Sequence, residues 1–208
     1  MKNIKSKRKK GIFLAISATV FWGFSGNVTQ YMFQISDVDA LTIVTLRLLI
    51  SGFILTLFAL LSGYKNTFLE IFKNKDARKN IIIFAIFGMV GTQLTFFSAI
   101  ENSNAAVATL LQFLSPLFVI FYYIFRKKQL PSKIEVFATF LALIGTFLII
   151  TNGSTKGLSV SVTGLTWGIL SALAVTFYMI FAKKLFVWSS RVTVGLSMLL
   201  GGILLFIL

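Results

Sequence analysis

Arg47 stands alone as a charge inside a long apolar run, in the stretch Thr45-Leu46-Arg47-Leu48-Leu49. A guanidinium in hydrocarbon is costly and marks a pathway or a partner. It can bind a substrate anion, or satisfy carbonyls at a broken helix. The competing reading is a long side chain that snorkels to the nearby interface. Counting from Ala40 at the helical rise, Arg47 lies about 10 Å below the outer edge.

Amides form a second group. Asn27, Gln93 and Gln112 fall in apolar runs, where a carboxamide needs hydrogen-bond partners. They are candidates for lining a cavity, although bonding between helices accounts for them as well. Asn104, Ala108, Gln112 and Pro116 recur at i+4 and share one helix face. The same spacing relates Ala15, Thr19, Gly23 and Asn27, and a small, polar group of similar spacing runs Gly91, Thr95, Ser98 and Asn102. Close packing of helices explains most of the small residues in these stripes. Trp22, Phe24 and Tyr178 are able to stack on an aromatic or cationic ligand. Against that stands the abundance of Phe, 23 in all, which makes an intramembrane ring first a packing element. The candidates for a substrate path are therefore Trp22, Asn27, Arg47, Gln93, Asn104, Gln112, Pro116 and Tyr178.

Other chemistries are closed off. The chain has no Cys and no His, so disulfides, Cys or His metal sites and histidine proton relays are excluded. No Asp or Glu lies inside an apolar run, which leaves no evident proton-coupling carboxylate. A membrane-embedded enzyme needs acid/base or metal-binding groups. The nearest approach, Asp37 with Asp39, reads as a helix-start turn. No cofactor or metal is expected. A four-helix multidrug exporter would carry a Glu in its first span, and a retinal protein a Lys in its seventh; both are missing here.

These residues must be positioned by membrane helices. The sequence is 57% hydrophobic and 12% charged, against about a quarter charged in soluble domains. Nearly charge-free stretches cover 11–36, 40–64, 80–100, 102–125, 136–155, 157–182 and 192–208. Each approaches the roughly 20 residues that a spanning helix needs. Seven transmembrane helices follow, and with them an all-α integral membrane protein, since lipid forces backbone groups to bond internally. Eighteen of the 20 Lys and Arg occupy alternate gaps: residues 2–10, 65–79, 126–133 and 183–191. Cytoplasmic loops collect such charge, which places the N-terminus in the cytosol. The net charge of +14 is thereby explained by topology and lipid, without nucleic acid. Pro116 should kink the fourth span, and Ser103 or Asn104 should cap it. Gly164-x-x-x-Gly168 fits a close helix contact. Residues 1–10 read as a disordered basic tail.

A repeat is present. Val44, Leu46, Leu49, Gly52 and Leu55 match Val194, Leu196, Leu199, Gly202 and Leu205 at one offset, 150. Ser17-Ala18 similarly matches Ser171-Ala172. Spans six and seven thus read as second copies of spans one and two, inserted upside down, the inverted plan of many transporters. A five-helix unit predicts ten helices. On that expectation, residues 11–152 form the first repeat, 157–208 a partial second, and helices eight to ten are missing. The partner is then a second copy or the missing C-terminal half; a non-functional fragment is the alternative.

The chain resembles the EamA-type members of the drug/metabolite transporter superfamily over residues 11–208. The resemblance rests on Phe21-Trp22-Gly23 with Asn27, on Leu46-Arg47-Leu48, and on the stretch from Gly91 to Gly145. That stretch carries Thr95-Phe96-Phe97-Ser98-Ala99, Asn104-Ala105-Ala106-Val107-Ala108 and Leu114-Ser115-Pro116-Leu117. The family's Glu-Arg pair after the fourth span is replaced by Arg126-Lys127-Lys128-Gln129. The resemblance implies ten helices in two repeats, the cytoplasmic membrane, and export or exchange of small metabolites or drugs.

Overall fold

The computed structural model describes residues 2–128, 130–151 and 160–208, and these are helical with short connections. The helices are α1 (Lys2–Ile35), α2 (Ala40–Leu61), α3 (Lys65–Lys73), α4 (Lys75–Ile83), α5 (Gly91–Glu101), α6 (Ala105–Gln112), α7 (Ser115–Lys127), α8 (Lys133–Ile150), α9 (Val162–Leu185) and α10 (Ser190–Ile207). A π-helical segment, Phe84–Val90, joins α4 to α5. Among the described residues six helical stretches are long and apolar enough to cross a membrane: Gly11–Ile35, Ala40–Leu61, Lys75–Glu101, Ala105–Lys127, Val162–Leu185 and Ser190–Ile207. The expected span 136–155 coincides with α8 up to Ile150 and then runs into residues 152–155, outside the described ones.

Two features depart from the sequence reading. Helix α1 begins at Lys2 and runs through the basic segment instead of leaving it as a disordered tail. Lys and Arg are good helix formers, and Gly11 alone does not break the run. The basic loop after α2 contains α3, an amphipathic helix. It buries Phe68 and Ile71 and leaves Leu69 and Phe72 half exposed, the pattern of a helix lying in an interface.

The core is shared by α2, α3, α4, the π segment, α5, α6, α9 and α10, and its closest crossing is α2 on α10. Gly52, Gly195 and Gly202 bring the two backbones together. A methyl group on Gly52 would sit 2.7 Å from Leu199 Cα, and one on Gly202 would sit 2.7 Å from the Leu49 nitrogen. At Gly195 it would meet the Thr56 nitrogen at 3.0 Å. Residue numbers fall on one helix as they rise on the other, so the pair is antiparallel. Lipid supplies no hydrophobic drive between helices, and close packing over small residues takes its place. Gly164 and Gly168 of α9 do the same against the turn before α6 and against Leu111.

The two ends of the bundle differ. At one end Lys183 donates to the Tyr123 hydroxyl at 2.7 Å, and Arg191 lies 5.7 Å over Tyr64. At the other end the groups are capping ones. Glu101 Oε1 accepts from the Ala40 N–H at 3.1 Å, Asp39 from the Thr42 N–H at 2.9 Å, and Gln30 from the Ala105 N–H at 2.7 Å. The Lys183 and Arg191 contacts thus lie at the opposite end from the Asp39, Glu101 and Gln30 caps.

Candidate functional site

A cavity of about 370 Å³ opens between α1, α2, α5, α6, α9 and α10. Five of the eight candidate residues line it: Trp22, Arg47, Gln93, Gln112 and Tyr178. Each comes from a different membrane helix. Residues far apart in sequence therefore converge.

Arg47 leaves α2 half-buried. Its Nη1 donates to the Ser25 hydroxyl of α1, and its guanidinium carbon lies 5.1 Å over the Phe97 ring of α5. One charged side chain thereby ties three helices together. It faces the bundle, and does not snorkel outward.

Gln93 lines the cavity just after the π segment. An extra residue in the turn advances everything after it by about 100° around the axis. The segment forms where Phe84, fully buried, packs on Tyr178 at 5.0 Å and on Phe181 at 6.3 Å. Thr92, next to Gln93, returns its hydroxyl to the Gly88 and Met89 carbonyls and so satisfies part of the loosened turn.

Gln112 sits at the end of α6, where the fourth span breaks at Phe113–Leu114. Pro116 has no N–H to continue the ladder, so α7 restarts with Pro116 in its first turn. Beside the break, the Thr176 hydroxyl of α9 donates to the Ser115 carbonyl at 3.2 Å. Gln112 Nε2 donates to Ser171 of the same helix at 2.8 Å. That contact holds the amide at the cavity wall.

Trp22 stacks on Phe96, with ring centres 5.3 Å apart, and leans on Phe113 at 6.0 Å. Trp22 and Phe96 also line a second cavity of about 350 Å³ between α1 and α6, and Asn27 is found there. Its Nδ2 donates to the Gly23 carbonyl at 3.0 Å. The Trp22–Phe96 stack is thus a partition between the two cavities.

The remaining candidates lie elsewhere. Asn104 caps α6, its Oδ1 accepting from the Val107 N–H at 2.9 Å. Pro116 lines a separate cleft of about 180 Å³ between α7 and α8. Phe24 is exposed on α1, away from all three. The sequence reading did not single out Ser25, Met89, Thr92, Phe96, Phe97 and Met198 as site residues. Phe97, four residues after Gln93, shares its face, a signal that was present but drowned among the many Phe. Nothing in the sequence announced the π turn.

Comparison with known proteins agrees with this architecture. Residues 9–151 match the model of the EamA-like transporter family. A Salmonella typhimurium (strain LT2) protein described as the uncharacterized inner membrane transporter YicL is 37% identical over 198 residues, which is 95% of this chain and 65% of YicL. The chain spans that 65% of its relative's length. No solved structure matches it. With a family match over most of its length and a bundle of membrane-length helices, the chain is a multi-pass membrane protein that belongs to the EamA-like transporter family.

Proposed function

We propose that the protein is a transporter of small metabolites or drugs in the cytoplasmic membrane, and not an enzyme. It works by export or exchange, with alternating access to the cavity that Trp22, Arg47, Gln93, Gln112 and Tyr178 line. The observation that carries this is their convergence from five membrane helices onto one space of ligand size. Small-molecule sites are concave, mostly apolar and carry a few placed polar groups, and this cavity fits that description. The printed name of YicL, an inner membrane transporter, points the same way.

Topology is part of the proposal. Counting α8, the protein has seven spans, with the N-terminus in the cytosol, as the segregated basic loops favour. Residues 11–152 form one repeat and 157–208 begin an inverted second. The α2–α10 crossing supports this. Gly52 and Gly202, and likewise Leu49 and Leu199, are 150 apart; Gly52 packs on Leu199 and Gly202 on Leu49. Exchanging the copies leaves the contact unchanged, as a two-fold axis in the membrane plane requires. YicL extends beyond the matched part, which gives room for the further spans of a ten-helix plan.

The test uses the absence of native Cys. Single Cys replacements at Gln93, Gln112 and Tyr178 should react with a membrane-impermeant maleimide, added to one side or the other. A Cys at Phe53, which points outward from α2 within the span Ala40–Leu61 and lines none of the cavities described, should not. Resistance of all three cavity positions from both sides would refute the reading.

A further inference from the structure

Arg47 is the cation of this cavity, and among the described residues lining it none is acidic. The six carboxylates of the chain are Asp37, Asp39, Glu70, Asp76, Glu101 and Glu135, all outside the long apolar runs. Asp39 and Glu101 are spent on helix caps at one end, and Glu135 accepts from the Ser132 N–H at 2.7 Å. The guanidinium has a hydroxyl and a ring face as neighbours, Ser25 and Phe97, and neither neutralises it. A charge held at such depth without a counter-ion is strongly disfavoured. A ligand that brings one negative charge relieves this, and one that brings a positive charge makes it worse.

The rest of the wall sets the remaining chemistry. Trp22, Phe96, Phe97 and Tyr178 offer flat apolar surface, and Gln93 and Gln112 offer neutral amides. A planar guanidinium matches a carboxylate through two parallel N–H···O bonds. A volume of about 370 Å³ is at the small end of the range for ligand sites, enough for one or two rings. Resting on the reading of this cavity as the solute path, we infer that its substrates are monoanions, aromatic or apolar carboxylates without an ammonium group. Arg47 binds the carboxylate and the aromatic residues hold the body. A zwitterion fits less well, since its ammonium finds ring faces but no carboxylate among the described residues.

Three probes with one ring system test this: naphthoate, naphthylalanine and naphthylmethylammonium. Binding is measured by equilibrium dialysis on the purified protein in nanodiscs, with empty nanodiscs subtracted. The expected order is naphthoate, then naphthylalanine, then the ammonium. Naphthoate should bind at least about tenfold tighter than the ammonium, as removal of a close charge pair is costly. Arg47→Gln should erase that preference and Arg47→Lys should keep part of it. Unchanged melting temperatures of both variants confirm that they are folded. An ammonium probe bound as tightly as naphthoate, or an order that survives Arg47→Gln, overturns the inference and leaves the transport reading standing. Conversely, Arg47-dependent naphthoate binding without naphthoate counterflow in proteoliposomes upholds the charge selectivity and defeats transport.

Discussion

Gly52 lies against the backbone of Leu199 so closely that a methyl group there would come within 2.7 Å of the Leu199 Cα. The neighbour is backbone and cannot swing aside. Gly52→Ala should therefore force α2 and α10 apart, with a loss of about 1–3 kcal/mol. Gly202→Ala should behave alike. Gly23→Ala, where a Cβ meets nothing within 4 Å, should be neutral or slightly stabilising. Melting temperatures in one detergent compare the three.

Gln112 and Ser171 bridge α6 to α9 at 2.8 Å. Hydrogen bonds between membrane helices contribute about 0.6 kcal/mol on average and up to about 1.7. A double-mutant cycle with Gln112→Leu and Ser171→Ala should give a coupling in that range. A coupling of zero would mean that the amide is held by packing alone.

Much of this was legible in the sequence, for physical reasons. Apolar length and alternating Lys and Arg reveal spans because hydrocarbon penalises charge at every position. Arg47, Gln93 and Gln112 stood out by the same penalty. Gly52 and Gly202 emerged through the repeat. Asn27 and Asn104 were equally polar, yet they turn back to their own backbone, to Gly23 and Val107. Periodicity does not distinguish an amide that faces a neighbour from one that closes on its own helix. The π turn at Phe84–Val90 carries no Pro or other local signal in the sequence; in the fold its Phe84 packs on Tyr178 and Phe181. The amphipathic α3 was masked by its lysines, which read as a loop.

Trp22 and Phe96 separate the central cavity from the one that holds Asn27. Trp22→Ala should join the two spaces. A Cys at Asn27 should then be labelled faster by an impermeant maleimide in the Trp22→Ala background than in the parent. An unchanged labelling rate would show that the stack is no barrier.

Asp39 caps α2, and hydrogen bonds from Thr42 hold its carboxyl below the ordinary carboxylate range. Its contribution is present above the unfolded value of about 4 and is lost as pH falls through the lower folded value. Since Asp39 is largely exposed, the effect is small. Asp39→Asn should retain the cap and lose this part of the acid dependence. Asp39→Ala should lose the cap at all pH values, at a cost of about 1 kcal/mol. Thermal melts across acidic pH compare the three proteins.

The central claim is that solute passes through the cavity beside Arg47. Its most direct test is uptake into inside-out vesicles of cells that make the protein, screened over labelled small metabolites and drugs. The solute that the parent moves is then measured with Arg47→Gln at matched membrane abundance. The account predicts that the rate falls at least about tenfold, the effect of removing a close charge partner. Equal rates for parent and variant would contradict it.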